Sequence, residues 1–243
     1  MKIALISDIH GNLPALEAVY QSIKEKGISE IYNLGDSLYG PLWPEETAQF
    51  LINNKIVSIM GNEDEELLKS TVKNETGKYT LRQLSESSIN WIRTLPYFYK
   101  NENITLFHGT LSNNREYFLE KICKGKVLIK SDEELTENIK NIRTKYVGFG
   151  HSHLERVVTL KGKILINAGS VGWPAFFDDK PKHKIETLNN FAKYVIIDNQ
   201  NIEICNIAYD YKKSSKKAEK NNRDDWSRYI KYGRIAELKM EDL

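Results

Sequence analysis

Short apolar runs punctuate the chain, and each ends in polar residues. Lys2–Ser7 is the first. It leads into a helical pattern from Leu13 to Lys26, with Leu16, Val19, Tyr20 and Ile23 on one face and Gly27 closing it. Ile31–Leu34 is the next strand, followed by a helix from Pro44 to Ile52. The run recurs at Ile56–Met60, Ile104–Phe107 and Tyr146–Phe149. Short apolar strands alternating with helices predict an α/β fold, at least partly parallel.

Beyond Gly150 the pattern changes. Arg156–Leu160, Lys163–Asn167, Tyr194–Asp198 and Asn201–Ile207 are closely spaced strands, with Lys161-Gly162 and Asn199-Gln200 between them as hairpin turns. They predict an antiparallel sheet on the same core, so that one domain spans residues 1–208. Lys69–Leu95 reads as an insertion with a helical stretch that caps the site. Lys212–Lys220 carries five Lys and one Glu among Ser and Ala, the composition of a solvated basic linker. Asp224–Leu238 is predicted as a terminal helix burying Trp226, Tyr229, Ile230 and Ile235. Linker and helix together make up 209–243.

Charge adds little to this picture. Lys and Arg total 35 against 33 Asp and Glu, a formal charge of +2, which leaves no global footprint for nucleic acid or an anionic membrane. No apolar run reaches bilayer length, and the first residues lack a signal-peptide pattern. Cys123 and Cys205 are far apart and form no CxxC, so both are expected as free buried thiols. The expectation is a soluble cytoplasmic protein.

The metal-capable residues change the picture most. Four of the five histidines fall at or just past predicted strand ends. Asp8-Ile9-His10 follows the first strand, Gly35-Asp36 the second and Gly61-Asn62 the third. His108-Gly109 and Gly150-His151-Ser152-His153 follow the next two. In α/β sheets that edge is where ligands bind. Asp8 and His10 are two apart, as are His151 and His153, so an extended backbone would point each pair the same way. The neighbouring glycines allow close approach or positive φ. Carboxylate, imidazole and one amide suit hard-to-borderline divalent ions better than a structural zinc site. Any one of these motifs alone is an ordinary turn. A purely structural reading does not account for five of them at five strand ends. His183 sits in a charged stretch, Lys182-His183-Lys184, and is given no role.

The motifs Ser7-Asp8-Ile9-His10-Gly11-Asn12, Gly35-Asp36, Gly61-Asn62, His108-Gly109 and Gly150-His151-Ser152-His153, in that order, resemble the calcineurin-like metallophosphoesterase superfamily over about residues 1–207. Leu38-Tyr39-Gly40-Pro41 and Asn167-Ala168-Gly169-Ser170-Val171-Gly172 resemble its compact bacterial and archaeal branch, which includes phosphodiesterases and some diadenosine-tetraphosphate hydrolases. Ala168 replaces a usual proline. The resemblance implies a four-layer α/β/β/α sandwich. It also implies two divalent ions (Mn, Fe, Zn, Ni or Mg) that share a hydroxide for in-line attack on phosphorus. Asp8, His10 and His153 would hold the first ion, Asn62, His108 and His151 the second, and Asp36 would bridge them. Asn62 would also donate an N–H to substrate. With ordinary imidazole ligands, metal and activity would be lost below about pH 6.

The substrate implied is a small phosphorylated, nucleotide-like molecule, cleaved at a phosphodiester or phosphoanhydride bond. No nucleic acid or membrane partner is expected, and the oligomeric state is open, with a homodimer among the options. Tyr39, Trp43, Trp173, Phe176 and Phe177 flank the motifs. Tyr39 is the substrate-stacking candidate, whereas Phe176 and Phe177 are expected to pack the loops. Relatives often carry a His after Gly-Asn as a proton donor; Glu63 stands there and is the candidate catalytic residue. An ordinary carboxyl at that position would be ionised at neutral pH. The competing readings are a metal-free scaffold of the same fold, a phosphomonoesterase, a nuclease and a protein phosphatase. The nuclease would want a basic groove, and the protein phosphatase an Arg where Met60 stands.

Overall fold

The structure is a computed structural model that describes residues 2–235. In chain order it runs β1 (Lys2–Ile6), α1 (Leu13–Glu25), β2 (Glu30–Asn33), α2 (Pro44–Asn53), β3 (Val57–Ser58), α3 (Asn62–Leu67), α4 (Glu75–Gln83) and α5 (Glu86–Thr94). It continues with β4 (Phe98–Lys100), β5 (Ile104–Phe107), β6 (Glu120–Cys123), β7 (Lys126–Ile129), α6 (Asp132–Ile139) and β8 (Tyr146–Phe149). The remainder is β9 (Arg156–Leu160), β10 (Lys163–Asn167), β11 (Ala175–Asp179), β12 (Lys182–Glu186), β13 (Ala192–Asp198), β14 (Asn201–Ile207), α7 (Tyr211–Lys220) and α8 (Asp224–Tyr232).

Two five-stranded sheets form the centre, ordered β14-β13-β1-β2-β3 and β4-β5-β8-β10-β9. Each contains three parallel strands, β1-β2-β3 at one side of the first sheet, with antiparallel β13 and β14 beyond β1, and β5-β8-β10 in the middle of the second, flanked by antiparallel β4 and β9. The strands of each parallel trio are apolar on both faces because both faces are covered. Ile3, Leu5, Leu34, Val195 and Ile197 of the first sheet meet Ile104, Leu106, Tyr146 and Ile166 of the second. Outside the first sheet, Ala4, Ile6 and Ile196 pack on Leu16, Val19 and Ile23 of α1. Outside the second, Phe107, Val147 and Phe149 pack on Leu135 and Ile139 of α6. The layers are therefore α/β/β/α in one domain. No helix among the described residues is long and apolar enough to cross a membrane.

Several expectations need correction. The four late strands do not form one sheet: β9 and β10 join the second sheet, β13 and β14 the first. Residues 69–95 fold as α4 and α5 and pack Leu84, Ile92 and Leu95 against Leu38, Ala48 and Leu67, and Asn74, which caps α4, accepts from the Tyr39 hydroxyl. Two small hairpins, β6–β7 and β11–β12, lie outside the main sheets and contribute Glu120, Lys121, Asp178 and His183 to the lining of one cavity. The Lys-rich segment is helix α7, started by the Asp210 side chain accepting from Lys213 N–H. Its Ser214, Ser215 and Ala218 are buried, so small residues make its packed face while the lysines stay wet. Helix α8 ends at Gly233 in the left-handed conformation, earlier than expected. Residues 236–238 of the expected helix lie outside the described residues. Cys205 is buried, but Cys123, at the β6–β7 turn, is exposed.

Candidate active site

All the parallel strands point their carboxyl ends at one edge, and five of these ends carry the predicted ligands. The loops after β1 and β2 are joined backbone to backbone: Asp8 N–H donates to Gly35 O (3.0 Å), His10 N–H to Asp36 O (3.0 Å) and Gly11 N–H to Ser37 O (2.9 Å). Gly35 and Gly61 face each other so closely that a Cβ on Gly35 would lie 2.6 Å from Gly61 N, so only glycine fits. The extended backbone expected at Asp8–His10 and His151–His153 is absent. Asp8, His10, Asp36, His151 and His153 all take left-handed φ, between 51° and 68°. Side chains with a Cβ rarely adopt this conformation, and such residues cluster at functional sites. The tight turns, not strand alternation, aim the five side chains inward.

Convergence follows from that backbone. Asp8, His10 and His153 form one group and Asp36, His108 and His151 another, with the candidate ligand atoms of each group within 4.8 Å of one another. Asn62 Oδ1 lies 3.0 Å from His108 Nε2 and so joins the second group. Asp36 Oδ2 is 3.3 Å from His108 Nε2 and 4.0 Å from His10 Nε2, between the two groups. Every predicted ligand is buried except His151, which is half-buried.

Backbone carbonyls fix the rings. His10 Nδ1 meets Tyr39 O at 2.9 Å, His108 Nδ1 meets Leu34 O at 2.8 Å and His153 Nδ1 meets Trp173 O at 2.6 Å. The His151 ring bonds to the Arg115 carbonyl. With Nδ1 donating to a carbonyl, Nε2 of His10, His108 and His153 faces inward. His10 Nε2 and His153 Nε2 then stand 3.3 Å apart, lone pair against lone pair in their neutral forms. Asp8 Oδ1 is buried without a hydrogen-bond partner, although His153 Nε2 is only 3.1 Å away. An orphaned carboxylate oxygen facing converging imidazole nitrogens fits a divalent cation and no neutral arrangement.

The charges are strongly coupled. Burial opposes ionisation of Asp8 and Asp36, but the neighbouring histidines outweigh it and hold both carboxyls below the usual range. His10 is pushed down to about 4 by burial and then by His153, and His151 to about 3 by burial and then by His108. Burial would lower His108 too, yet Asp36 carries it up to about 9. This revises the expected loss of ligands below pH 6. His10 and His151 keep their lone pairs well into acid, whereas His108 holds a proton that a cation must displace. Because His108 is protonated below about 9, cation affinity should rise with pH up to that value. Calorimetry near pH 7, in buffers of different ionisation enthalpy, should show release of about one to two protons per protein, from His108 and from Glu63 of the adjoining helix. Absence of any release would show that His108 is neutral before binding.

Helix α3 begins within the site. Its Glu63 N–H donates to Asp36 Oδ1 (2.8 Å). The Asn62 amide, expected to donate to substrate, gives one of its two N–H groups to Glu63 Oε1 (3.0 Å). Burial, then the Asp36 charge, pushes the Glu63 carboxyl up to about 8, away from the ionised form expected of an ordinary glutamate. Asp64, to which no role fell, is fully buried and accepts from Ser37 N–H (3.0 Å), Leu38 N–H (3.4 Å) and Gly61 N–H (3.2 Å). It ties the Asp36 and Asn62 loops together. Its signal was legible as a carboxylate three residues after the helix-capping Gly61.

A cavity of about 240 Å³ lies over His10, Asp36, His151 and His153, walled by Tyr39 and Trp173. A larger one, about 580 Å³, shares Asn62, Glu63, Tyr117, His151 and Asp178 with it. Arg115, Lys121, Lys130 and Lys180 line this second cavity. His183, set aside on sequence, is buried there and bonds through Nε2 to Tyr117 OH (2.7 Å). Tyr117 in turn packs its ring 4.8 Å from that of His151. Nothing in the charged stretch around His183 signals this, because strand alternation in β12 turns His183 inward and Lys182 and Lys184 outward. Tyr39 lines the smaller cavity, but its hydroxyl is bound to Asn74 Oδ1 (2.7 Å). Phe176 is buried as expected; Phe177 is exposed at the rim. Trp43 lies away from both cavities, under Lys213 and Lys217 of α7.

Two apposed mixed sheets with carboxylate, imidazole and amide donors at their shared edge define a metal-dependent phosphoesterase architecture. The family profile described as the calcineurin-like phosphoesterase superfamily domain matches residues 1–189, and the chain belongs to that superfamily. An uncharacterized protein of Methanocaldococcus jannaschii is 29% identical over 246 residues, covering 92% of this chain and 94% of its own length. A metallophosphoesterase from Sphaerobacter thermophilus superposes with a TM-score of 0.77 at 21% identity, over 96% of this chain and 99% of that one. A hypothetical protein of Pyrococcus horikoshii superposes with a TM-score of 0.76 at 17% identity, over 97% and 99%.

Proposed function

We propose that the chain hydrolyses phosphodiester or phosphoanhydride bonds of a small, nucleotide-like cytoplasmic substrate, using two divalent cations. The observation that carries this reading is that two buried carboxylate oxygens, Asp36 Oδ2 and Asp8 Oδ1, each lie within 4.0 Å of imidazole nitrogens from both ligand groups, Asp36 Oδ2 nearer the second and Asp8 Oδ1 nearer the first. Asp8, His10 and His153 would hold one cation, Asn62, His108 and His151 the other, and Asp36 both. When bound, the pair supplies an activated water nucleophile and neutralises charge on the phosphoryl group. The chain's own part is to fix the donors by carbonyls, exclude water from their far side and present two cavities. The smaller seats the reacting phosphate against the ligands. The larger carries Arg115, Lys121, Lys130 and Lys180 beside Glu63, Glu116, Glu120 and Asp178 on its wall, a mixed-charge lining with room for the rest of the substrate, and its volume falls in the usual range for small-ligand sites. Tyr39 borders the phosphate seat as a contact for the organic part.

Metal analysis and hydrolysis of bis-p-nitrophenyl phosphate on one purified sample test this reading. Two equivalents of metal with turnover support it; tight metal without turnover on any phosphate ester would make the chain a scaffold.

Glu63 sets a second expectation. Without cations it is held protonated, but two divalent charges beside Asp36 would favour its ionised form. The leaving group then departs without a proton donor, forgoing the roughly 100- to 10,000-fold that such a donor contributes. Rates across esters of graded leaving-group pKa should fall steeply as that pKa rises, and phosphoanhydrides should be preferred to alkyl esters. A flat series in the wild type that becomes steep in Glu63→Ala would assign Glu63 as a working acid instead.

A further inference from the structure

The helical pair α7–α8 lies beyond the family match, which ends at residue 189, yet it reaches the first ligand group. His10 and His153 are aimed by two carbonyls, Tyr39 O and Trp173 O, that sit on irregular loops. A loop carbonyl aims a ring only as well as the loop is held.

The helical pair does that holding. Trp226 of α8 is buried and stacks on Trp173, with centroids 4.2 Å apart and planes within 11°. Trp173 meets the His10 ring edge-on at 4.6 Å, and Trp226 meets it at 6.0 Å. On the other loop, a Cβ on Gly40 would stand 3.2 Å from the Trp226 ring, so Trp226 is seated against the residue that follows Tyr39. Asn221, just past α7, donates through Nδ2 to Pro41 O (2.7 Å). Ser214 Oγ donates to Asn12 Oδ1 (2.7 Å), and Asn12 Nδ2 donates to Gly172 O (2.8 Å), one residue before Trp173. The second group is aimed differently. Its carbonyls are Leu34 O, at the end of β2 in the core between the sheets, and Arg115 O. Among the described residues, no hydrogen bond or ring contact links either of these to α7 or α8.

We propose that α7–α8 is a clamp on the first cation group, with Trp226 as a positioning residue that sets affinity there and not at the second group. The inference rests on the two-cation reading above. Removing a partner that orients a ligand typically costs 10- to 100-fold in metal affinity.

Equilibrium dialysis of the full chain against Mn²⁺, read by elemental analysis, tests it, with circular dichroism as the check on folding. Trp226→Leu should weaken one of two Mn²⁺ equivalents by about 10- to 100-fold and the other by much less. Trp226→Phe, which keeps an aromatic plate, should recover most of the loss. With the first group disabled by His153→Ala, Trp226→Leu should cause no further loss. With the second disabled by His108→Ala, the full loss should remain. Equal weakening of both equivalents, or no weakening, overturns the clamp while leaving the two-cation reading intact. A wild type that takes up no Mn²⁺ overturns both. If Trp226→Leu does not fold, Asn221→Ala frees the Pro41 carbonyl and the Tyr79 hydroxyl without touching the Trp stack, and should shift the same equivalent, by a smaller factor.

Discussion

Asp36→Asn lowers turnover by at least about 100-fold, the loss expected when one well-placed electrostatic contact is removed from a reacting centre. The replacement keeps the shape of the side chain, and its amide oxygen can still accept the Glu63 N–H that Asp36 Oδ1 now takes at 2.8 Å. What disappears is the negative charge between the groups. The amide nitrogen that takes the place of Oδ2 has no lone pair for a cation and stands beside His108 Nε2. The same charge raises His108, Glu63 and Asp64, so all three should move toward their ordinary ranges. Folding should be nearly unaffected, because Asp36 lies on a loop outside the apolar clusters. Kinetics with bis-p-nitrophenyl phosphate, paired with metal analysis, check this. Near-normal turnover with two metals bound would show that Asp36 is not shared between the groups.

Chelation has the larger effect: turnover falls to background and returns when divalent metal is added back. The protein supplies no substitute nucleophile, since His108 and Asp36 pair with each other and Asp8 is walled in by ligand residues. Without cations the buried carboxylates and imidazoles must neutralise one another imperfectly, which the orphaned Asp8 Oδ1 records. Metal should therefore stabilise the fold as well, by about 2.7 kcal/mol when present at a hundredfold over its dissociation constant. Thermal unfolding with and without metal gives a reading independent of catalysis. Turnover that persists in protein shown to be metal-free would place the chemistry elsewhere.

The candidate ligand residues were legible in the sequence as a set, because the fold announces where they fall. A parallel strand is short and apolar, its carboxyl end is abrupt, and a polar residue stranded there beside glycine has few structural reasons to be Asp or His. The α/β alternation followed from the same runs, whereas the four-layer order came from the family resemblance. What escaped was set by contacts between distant segments. The destination of β13 depends on β1, 192 residues earlier in the register that pairs Ala4 with Ile196, and periodicity is silent on that. Helix α7 was hidden because its packed face is made of Ser and Ala, too small to register as apolar beside five lysines. His183 was hidden by its charged neighbours, and Tyr117 by lying in an irregular segment. The left-handed turns at Asp8 and Asp36 have no signature at all, since nothing in Asp-x-His or Gly-Asp demands them.

Those turns bear on how the chain should respond to replacement. At most positions the native side chain is near the best for stability, and glycine is among the worst. At Asp8, His10, Asp36, His151 and His153 the order is inverted for the metal-free protein. Each holds a Cβ where only glycine rests easily, at a cost of order 1 kcal/mol or more. Glycine there should melt higher than alanine, and higher still relative to the wild type when no cation is present to compensate. A melting-temperature scan of glycine substitutions would pick out these five together with the other left-handed positions, Lys55, Lys124, Lys161, Leu188, Asn199 and Asn222, and only at the five should added cation reverse the gain.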